Sequence, residues 1–233
     1  MWTETLSSVR FFEALPNEAR ARLERQCTWR VFRPREQIIG HQEHSDEVYF
    51  VITGAVRAII YSVSGKAVAY RDVGQGEMFG ELSAIDGEPR SASIEALKES
   101  LVASMPAALF WSTLANEPAF TRAVLLHLVQ QMRALTGRVF EFSTLAVNNR
   151  IHAELLRLAQ AGRLNGASAV IEDFPTHAEL ASRISTHREA VTRELNRLAE
   201  HGLISRKGSS LHIADVQRLG RLVEDVTGDS LLD

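Results

Sequence analysis

The chain has 233 residues, enough for one large domain or two of modest size. Hydrophobic residues make up 45% of it and charged residues 24%, which excludes a mostly disordered or low-complexity protein. The single cysteine, Cys27, excludes a disulfide framework and a four-cysteine metal cluster. No apolar run reaches the roughly 20 residues of a membrane span, and no secretory signal is visible, so a cytoplasmic location is expected.

The first half of the chain is predicted to be rich in β structure. Short runs of β-branched and aromatic residues alternate with glycine-containing turns between about Thr28 and Met105. Many short strands at close spacing indicate a compact antiparallel barrel or roll. The predicted strands are Trp29–Phe32, Val48–Ile52, Ala55–Tyr61, Val68–Val73, Ser91–Ala96 and Leu101–Ser104.

A long helix is predicted from Pro118 to about Val147, where apolar residues recur in alternating steps of three and four. This is an a/d heptad pattern, here called the seam. A lone amphipathic helix packed on its own domain is the simpler interpretation, but the 3.5-residue period favours a partner helix and hence a homodimer. The seam residues are Leu125, Leu128, Met132, Leu135, Val139, Phe142 and Ala146.

Asn148 and Asn149 interrupt the seam and predict a hinge or helix boundary, because asparagine caps helices better than it continues them. A second helix is predicted over Arg150–Ala161, followed by a loop over Gly162–Ala169. The predicted domains are therefore residues 1–147, including the dimerisation helix at about 118–147, and residues 148–233.

Two short helices are predicted after Pro175, joined by a tight turn. Thr176 with Glu179, and Thr186 with Glu189, have the spacing of a capping box. Two helices this close in sequence predict a helix-turn-helix. Two short strands around Arg206–Ser210 then predict a wing. Ser185 stands where such turns prefer glycine, so a left-handed conformation costing on the order of 1 kcal/mol is expected there.

The outward face of the second helix is predicted to contact DNA. Thr176–Ile213 carries six Arg and Lys residues against four Glu, although the net charge of the chain is −3. An arginine can bond guanine with two hydrogen bonds, and a glutamate can accept one from cytosine. A charged, solvated helix face without a ligand is the alternative. The predicted DNA-binding residues are Thr176, Thr186, His187, Arg188, Glu189, Thr192, Arg193, Arg197 and Lys207, with Asn196 on the same face.

A phosphate-binding segment is predicted around Gly80 and Arg90. Gly80 allows close approach of the backbone, and Glu81 can accept a hydrogen bond from a sugar hydroxyl. Arg90 offers a two-donor fork to a phosphate, with Ser91 beside it. The alternative is a surface turn in which Glu81 and Arg90 form an ordinary ion pair.

Phe79–Leu82 followed by Pro89–Ala92 resembles the phosphate-binding cassette of cyclic nucleotide-binding domains. With the predicted roll, the long helix and Ser185–Arg193, the chain resembles bacterial CRP/FNR-type transcription regulators over about residues 10–213. The resemblance implies an α+β fold with an N-terminal β-roll of the jelly-roll type, a long dimerisation helix and a C-terminal winged helix-turn-helix.

The resemblance also implies a cyclic nucleotide effector and roles for the cassette. Glu81 would bind the ribose 2′-hydroxyl, and Arg90 with Ser91 the cyclic phosphate, while Gly80 and Leu82 would shape the cassette. The two base contacts of the family align with Leu135 and Thr136. Leu135 has no hydroxyl and would forfeit one hydrogen bond to the base, whereas the Thr136 hydroxyl could serve an adenine amine or a guanine carbonyl. Cyclic AMP is the first candidate and cyclic GMP the second. No prosthetic group is expected.

For DNA, the resemblance implies a palindromic operator with half-sites like TGTGA and RNA polymerase as a further partner. Arg188 and Arg193 would read guanines and Glu189 a cytosine.

Three alternatives remain at this point. The same architecture could use another effector or none, for instance haem with His41, His44 or His127 as ligand, and the cassette would then be structural. An enzyme is not expected, because the sequence has no nucleophile motif, metal-ligand cluster or P-loop. A scaffold without a site would leave the cassette and the helix-turn-helix unexplained.

Overall fold

A computed structural model describes residues 5–61 and 67–227. They divide into two compact units, with the division between Met132 and Arg133. This division lies inside the long helix, whereas the predicted domain boundary follows residue 147, so that boundary stays a prediction. None of the helices in the described part of the chain is both long and apolar enough to cross a membrane.

The first unit contains two antiparallel sheets and the helices that flank them. Its strands are β1 Thr28–Phe32, β2 Gln37–Ile39, β3 Val48–Thr53, β4 Ala55–Tyr61, β5 Ala67–Gly74, β6 Met78–Phe79, β7 Ser93–Ala96 and β8 Ser100–Met105. Its helices are α1 Asn17–Glu24, α2 Glu81–Asp86, α3 Ala107–Asn116 and the first part of α4, Pro118–Thr144. The six predicted strands are confirmed in place, whereas β2, β6 and α2 were not predicted.

Side-chain alternation divides the apolar residues of the first unit between two cores. The sheets have the strand orders β1-β8-β3-β6 and β2-β7-β4-β5. Val51 and Phe79 belong to a core that draws on both sheets, whereas their neighbours Phe50 and Met78 pack with residues of the flanking helices. Because successive residues of a strand point to opposite faces, one sheet serves both cores. The short strand β6 thereby fixes the position of the residue that follows it, Gly80.

The second unit contains the end of α4, further helices and a four-stranded sheet. Its elements are α5 Val147–Ala161, β9 Arg163–Asn165, β10 Ser168–Ile171, α6 His177–Arg183, α7 Arg188–Glu200, β11 Ile204–Lys207, β12 Ser210–Ile213 and α8 Val216–Thr227. The sheet order is β11-β12-β10-β9, in which β11 and β12 form the predicted wing. Val191, Leu195 and Leu198 of α7 are buried at helical spacing in the core of this unit.

One helix boundary and one loop in the second unit differ from the predictions. The break between α4 and α5 lies at Leu145 and the extended residue Ala146, not at Asn148 and Asn149, which lie in the first turn of α5. The predicted loop over Gly162–Ala169 is wrong, because most of it belongs to the hairpin of β9 and β10. The hairpin turns at Gly166, whose φ is +60°.

Candidate functional site

Gly80 has a backbone conformation that only glycine adopts at little cost. It follows β6, has a φ of +79° and precedes the first residue of α2. A Cβ atom at this position would lie 2.8 Å from Nη1 of Arg90 and 3.1 Å from the carbonyl oxygen of Glu47. The first contact is shorter than Cβ atoms show and the second is unusually tight, so the absence of a side chain lets Arg90 reach the Gly80 backbone.

Arg90 is the most completely buried charged residue of the cassette, with 2% of its surface exposed. Its Nε donates to Oγ of Ser45 at 2.8 Å, Nη1 to the carbonyl oxygen of Gly80 at 2.8 Å, and Nη2 to the carbonyl oxygen of Glu47 at 3.0 Å. The Glu47 carboxylate is 3.5 Å from Nη2 and is 42% exposed. Three short bonds therefore orient the guanidinium, and its ion-pair partner is the more weakly held Glu47.

Glu81 is buried without an ion pair. It is 6% exposed, and among the described residues no cationic side chain lies within ion-pair distance of its carboxylate. Burial raises the pKa of this carboxyl, while its own amide and the charges of Arg71 and Arg90 lower it in part. Glu81 and Arg90, both among the described residues, do not form the ion pair with each other that the surface-turn alternative required.

The remaining predicted ligand residues lie in two places. Leu82, on α2, and Ser91, after Arg90, are both exposed beside the residues just described. Leu135 and Thr136 lie on α4 within the second unit, and both are exposed.

The seam of α4 is largely exposed. The exposed fractions are 57% for Leu125, 69% for Met132 and 65% for Val139. Leu135, Phe142 and Ala146 are also exposed, and only Leu128 is partly buried. The predicted alternative of one amphipathic helix with its apolar stripe packed on its own domain is therefore wrong for this stripe.

One of the two predicted capping boxes is formed. The Thr176 hydroxyl accepts from the amide of Glu179, and the Glu179 carboxylate accepts from the amide of Thr176 at 2.8 Å. The predicted box of Thr186 and Glu189 is wrong. The amide of Thr186 already donates to the carbonyl oxygen of Ala181 at 3.0 Å, and α7 begins one residue later, with His187 at the N-cap.

The turn between α6 and α7 contains the predicted left-handed serine. Ser185 has a φ of +52°, which confirms that a non-glycine residue occupies this conformation. The turn is four residues long, between Arg183 and Arg188, so the two helices form the predicted helix-turn-helix.

The exposed face of α7 and its surroundings place the predicted DNA-binding residues in two groups. His187, Arg188, Glu189, Arg193 and Lys207 are exposed. The others make hydrogen bonds within the protein, although Thr176 and Arg197 are exposed as well. Thr176 bonds in its capping box, Thr192 to Nδ1 of His177 at 2.7 Å, Arg197 to both carboxylate oxygens of Glu194, and Thr186 through its amide.

A buried charge network joins α4, α5 and α6 within the second unit. Glu154 is 3.1 Å from Arg183 and 3.5 Å from Arg138, and Arg138 also donates to the carbonyl oxygen of Arg183 at 2.7 Å. Burial alone would raise the pKa of Glu154, but Arg157, Arg138 and Arg183 together lower it. The network ties α4 to Arg183, the last residue of α6, which lies one short turn before α7.

Three residues near the cassette were not predicted, Ser45, Glu47 and Arg71, and His127 was named only as a possible haem ligand. Arg71 and His127 lie on β5 and α4. Both ring nitrogens of His127 face guanidinium groups, at 2.9 Å from Arg10 and 3.4 Å from Arg71, so neither is open to a haem iron. In the described residues no group of three or more His, Cys, Asp or Glu side chains is arranged to hold a metal ion.

Two family models match, one in each half of the chain. The cyclic nucleotide-binding domain matches residues 29–117, and the Crp-like helix-turn-helix domain matches residues 149–222. The first match contains the cassette, and the second contains α6, α7 and the wing.

Similar proteins agree over nearly the whole chain. A CRP-like cAMP-activated global transcriptional regulator of Mycobacterium tuberculosis is 28% identical over 219 residues, which cover 94% of this chain and 98% of the relative. The structure of a CRP/FNR family transcriptional regulator from Thermus thermophilus is 26% identical, with a TM-score of 0.69, covering 85% of this chain and 100% of that one.

FixK2 from Bradyrhizobium japonicum has a TM-score of 0.74 over 84% of this chain and 96% of its own, and at 20% identity it shows the fold alone. The mycobacterial and Thermus relatives regulate transcription and are not enzymes. The chain belongs to the CRP/FNR family of transcription regulators, with a cyclic nucleotide-binding domain followed by a helix-turn-helix DNA-binding domain.

Proposed function

We propose that the chain is a homodimer whose binding to DNA responds to a cyclic nucleotide. One observation carries this proposal: a buried Glu81 without an ion pair and an oriented Arg90 stand together at Gly80 in a chain that also exposes Arg188, Glu189 and Arg193 on α7. A buried carboxylate without an ion pair is costly unless a ligand uses it. A plain DNA-binding protein has no need of it.

In this proposal the cassette binds the sugar and the phosphate. Glu81 accepts a hydrogen bond from the ribose 2′-hydroxyl, and Leu82 covers the site beside it. The phosphate replaces the Glu47 carboxylate, the longest of the Arg90 contacts at 3.5 Å, while the bonds to Ser45 and the Gly80 carbonyl keep the fork in place. The Ser91 hydroxyl adds a second donor to the phosphate.

The cassette and the family resemblance leave two candidate effectors. Cyclic AMP is the first, in line with the description of the mycobacterial relative as cAMP-activated. Cyclic GMP is the second. The resemblance assigns the base to Leu135 and Thr136, and a leucine there forfeits one hydrogen bond, about 0.5–1.5 kcal/mol. Thr136 keeps a hydroxyl that both donates and accepts, so this pair of residues does not by itself decide between the two bases.

The exposed seam supports dimerisation through α4. Apolar side chains at a 3.5-residue period bury their surface by packing against the same stripe of a second copy, which gives a twofold axis. The substitution Val139→Glu should convert the dimer to a monomer in sedimentation experiments. A wild-type chain that sediments as a monomer contradicts this part of the proposal.

A twofold dimer matches a palindromic operator in the cytoplasm, with half-sites like TGTGA. Arg188 and Arg193 would read guanines and Glu189 a cytosine. The exposed His187 and Lys207 are candidates for phosphate contacts.

Thr176, Thr186, Thr192 and Arg197 are engaged within the protein and would contribute through backbone or positioning contacts. RNA polymerase is the further partner that this function requires.

The network around Glu154 gives the second unit a route from α4 to α7. Ligand and DNA must favour the same conformation for the ligand to activate. Because Arg138 bonds to the residue that ends α6, a shift of α4 changes the position of the reading helix. Glu154→Gln should reduce the increase in DNA affinity on nucleotide addition more than it reduces nucleotide affinity. Equal effects on both contradict this route.

A double-mutant cycle tests the site itself. Glu81→Ala is preferable to a change of Arg90, because it removes the acceptor, whereas Arg90 also holds Ser45, Gly80 and Glu47 together. Calorimetry with each cyclic nucleotide and its 2′-deoxy analogue should show a loss of about tenfold for the analogue in the wild type, and a much smaller one in Glu81→Ala. Equal losses in both proteins mean that Glu81 does not bind the ribose.

Gating is tested with a labelled palindromic duplex. Its affinity should rise when the effector is added at saturation. An affinity that stays unchanged favours the same architecture acting with another effector or none.

A further inference from the structure

Arg71 lies beside the cassette with no anionic partner. Its Nη2 donates to the carbonyl oxygen of Met78 at 3.3 Å, two residues before Gly80, and lies 3.4 Å from Nε2 of His127. Within residues 5–61 and 67–227, no carboxylate is within ion-pair distance of this guanidinium. Arg90 has Glu47, and Arg10 has Glu77, so Arg71 differs from both in this respect.

The neighbouring histidine increases the shortage of acceptors around Arg71. His127 is 1% exposed, and burial together with the charges of Arg71 and Arg10 lowers its pKa to about 3, so the ring is neutral. A neutral imidazole has one acceptor nitrogen. The shorter contact, 2.9 Å from Arg10 to Nδ1, takes that lone pair, and we therefore assign the hydrogen to Nε2. Two donors, Nε2–H and Arg71, then face each other.

Arg71 also acts on the carboxylate that the proposed function assigns to the ribose. Arg71 contacts the Met78 carbonyl and Arg90 the Gly80 carbonyl, on either side of Phe79, and both charges lower the pKa of Glu81 against the effect of burial. With the phosphate at Arg90 and the ribose at Glu81, the base is the part of the effector left for Arg71. The two arginines lie on different elements, β5 and the segment after α2, and contact different backbone carbonyls, those of Met78 and Gly80.

We infer that Arg71 reads the base of the effector and selects guanine over adenine. This inference rests on the proposed function and reverses the order of the two candidate nucleotides. Guanine presents two adjacent acceptors, O6 and N7, which match the two-donor fork of an arginine. Adenine presents an amino group in place of O6, so a donor would face the guanidinium and leave it unsatisfied.

Three nucleotides and two substitutions test the inference by calorimetry on the full chain. Cyclic GMP and cyclic IMP share O6 and N7, and only cyclic GMP has the 2-amino group. Cyclic IMP therefore shows whether any preference comes from O6 and N7, which Arg71 would read, or from the 2-amino group. The wild type should bind both at least about tenfold more tightly than cyclic AMP. Cyclic IMP binding as weakly as cyclic AMP would overturn the inference.

Arg71→Gln should lower the ratio of the affinity for cyclic GMP to that for cyclic AMP. A carboxamide both donates and accepts, so it matches the adenine edge. Arg122→Gln removes the same charge from an exposed position on α4 and should leave the ratio unchanged. An unchanged ratio in Arg71→Gln, or an equal change in both variants, would overturn the inference. If thermal unfolding shows that Arg71→Gln does not fold, Arg71→Lys keeps the charge without the fork and should also lower the ratio.

Failure of the proposed function and failure of the role of Arg71 give different results. A wild-type chain that binds none of the three nucleotides contradicts the proposed function. A chain that binds all three without preference contradicts only the role of Arg71.

Discussion

Gly80 and Gly87 bound the same short helix, α2, and offer a matched pair of alanine substitutions. Both have a left-handed backbone, with φ of +79° at Gly80 and +74° at Gly87. Alanine in this conformation costs about 1–2 kcal/mol wherever it is placed. The two positions differ in their surroundings, because nothing lies within 4 Å of a Cβ atom built on Gly87.

At Gly80 the added Cβ meets one backbone oxygen and two side-chain atoms, of which Nη1 of Arg90 is held by a hydrogen bond. It would lie 2.8 Å from Nη1 of Arg90, 3.1 Å from the carbonyl oxygen of Glu47 and 3.2 Å from Cδ2 of Tyr49. Crowding of this kind costs about 1–3 kcal/mol beyond the backbone term. We therefore expect Gly80→Ala to lower the free energy of unfolding by about 2–5 kcal/mol, against about 1–2 kcal/mol for Gly87→Ala.

Urea unfolding followed by tryptophan fluorescence measures this difference in the first unit. The three tryptophans, Trp2, Trp29 and Trp111, all precede residue 133. Trp111 donates to the carbonyl oxygen of Ala84 in α2 at 2.8 Å, so its emission reports on the cassette. Equal losses of stability for the two alanine variants would refute the reasoning that Gly80 is required for the approach of Arg90.

The second unit carries three further predictions, each measured by chemical denaturation with circular dichroism. Ser185→Gly should stabilise the chain by up to about 1 kcal/mol, because it relieves the positive φ; a loss of stability would contradict this. Thr176→Ala should cost about 1 kcal/mol and Thr186→Ala clearly less, since only Thr176 caps a helix with its side chain. Burial lowers the pKa of His152 although its hydrogen bond with Glu194 opposes this, so the folded state takes up a proton less readily than the unfolded state. The contribution of His152 to the free energy of unfolding should therefore be fully present above about pH 6.5 and be lost as the pH falls below that value. His152→Gln should flatten that dependence, and a slope unchanged by the substitution would contradict the reasoning.

The two capping boxes show why a correct local pattern is not always formed. Both have the same Thr-x-x-Glu spacing, and the box at Thr176 is confirmed. A box also needs a free amide at the cap, and the amide of Thr186 is taken by Ala181 across the turn. The left-handed Ser185 that was predicted from the sequence brings this amide to Ala181. The predicted conformation of Ser185 is therefore incompatible with the predicted box at Thr186.

The hairpin of β9 and β10 could have been predicted, whereas the break before α5 could not. Asn165-Gly166 is the strongest short hairpin signal, and it lies inside the segment that was predicted as a loop. The break depends on one extended residue, Ala146, with a ψ of 158°. Alanine favours helix, so no local preference marks this position, and Asn148 and Asn149 are accommodated in the first turn instead.

The residues proposed to bind the phosphate lie close together in the chain, whereas those proposed to select the base lie far apart. Gly80, Glu81 and Arg90 fall within one short segment, so the resemblance to the family's cassette could assign them their proposed roles from the sequence. Arg71 meets His127 across 56 residues and Arg10 meets His127 across 117. No periodicity connects such positions, and a lone arginine on a strand is ordinarily a solvated one. Because base selection is assigned to contacts of this kind, a cassette that matches its family closely still leaves the choice of effector to residues outside it.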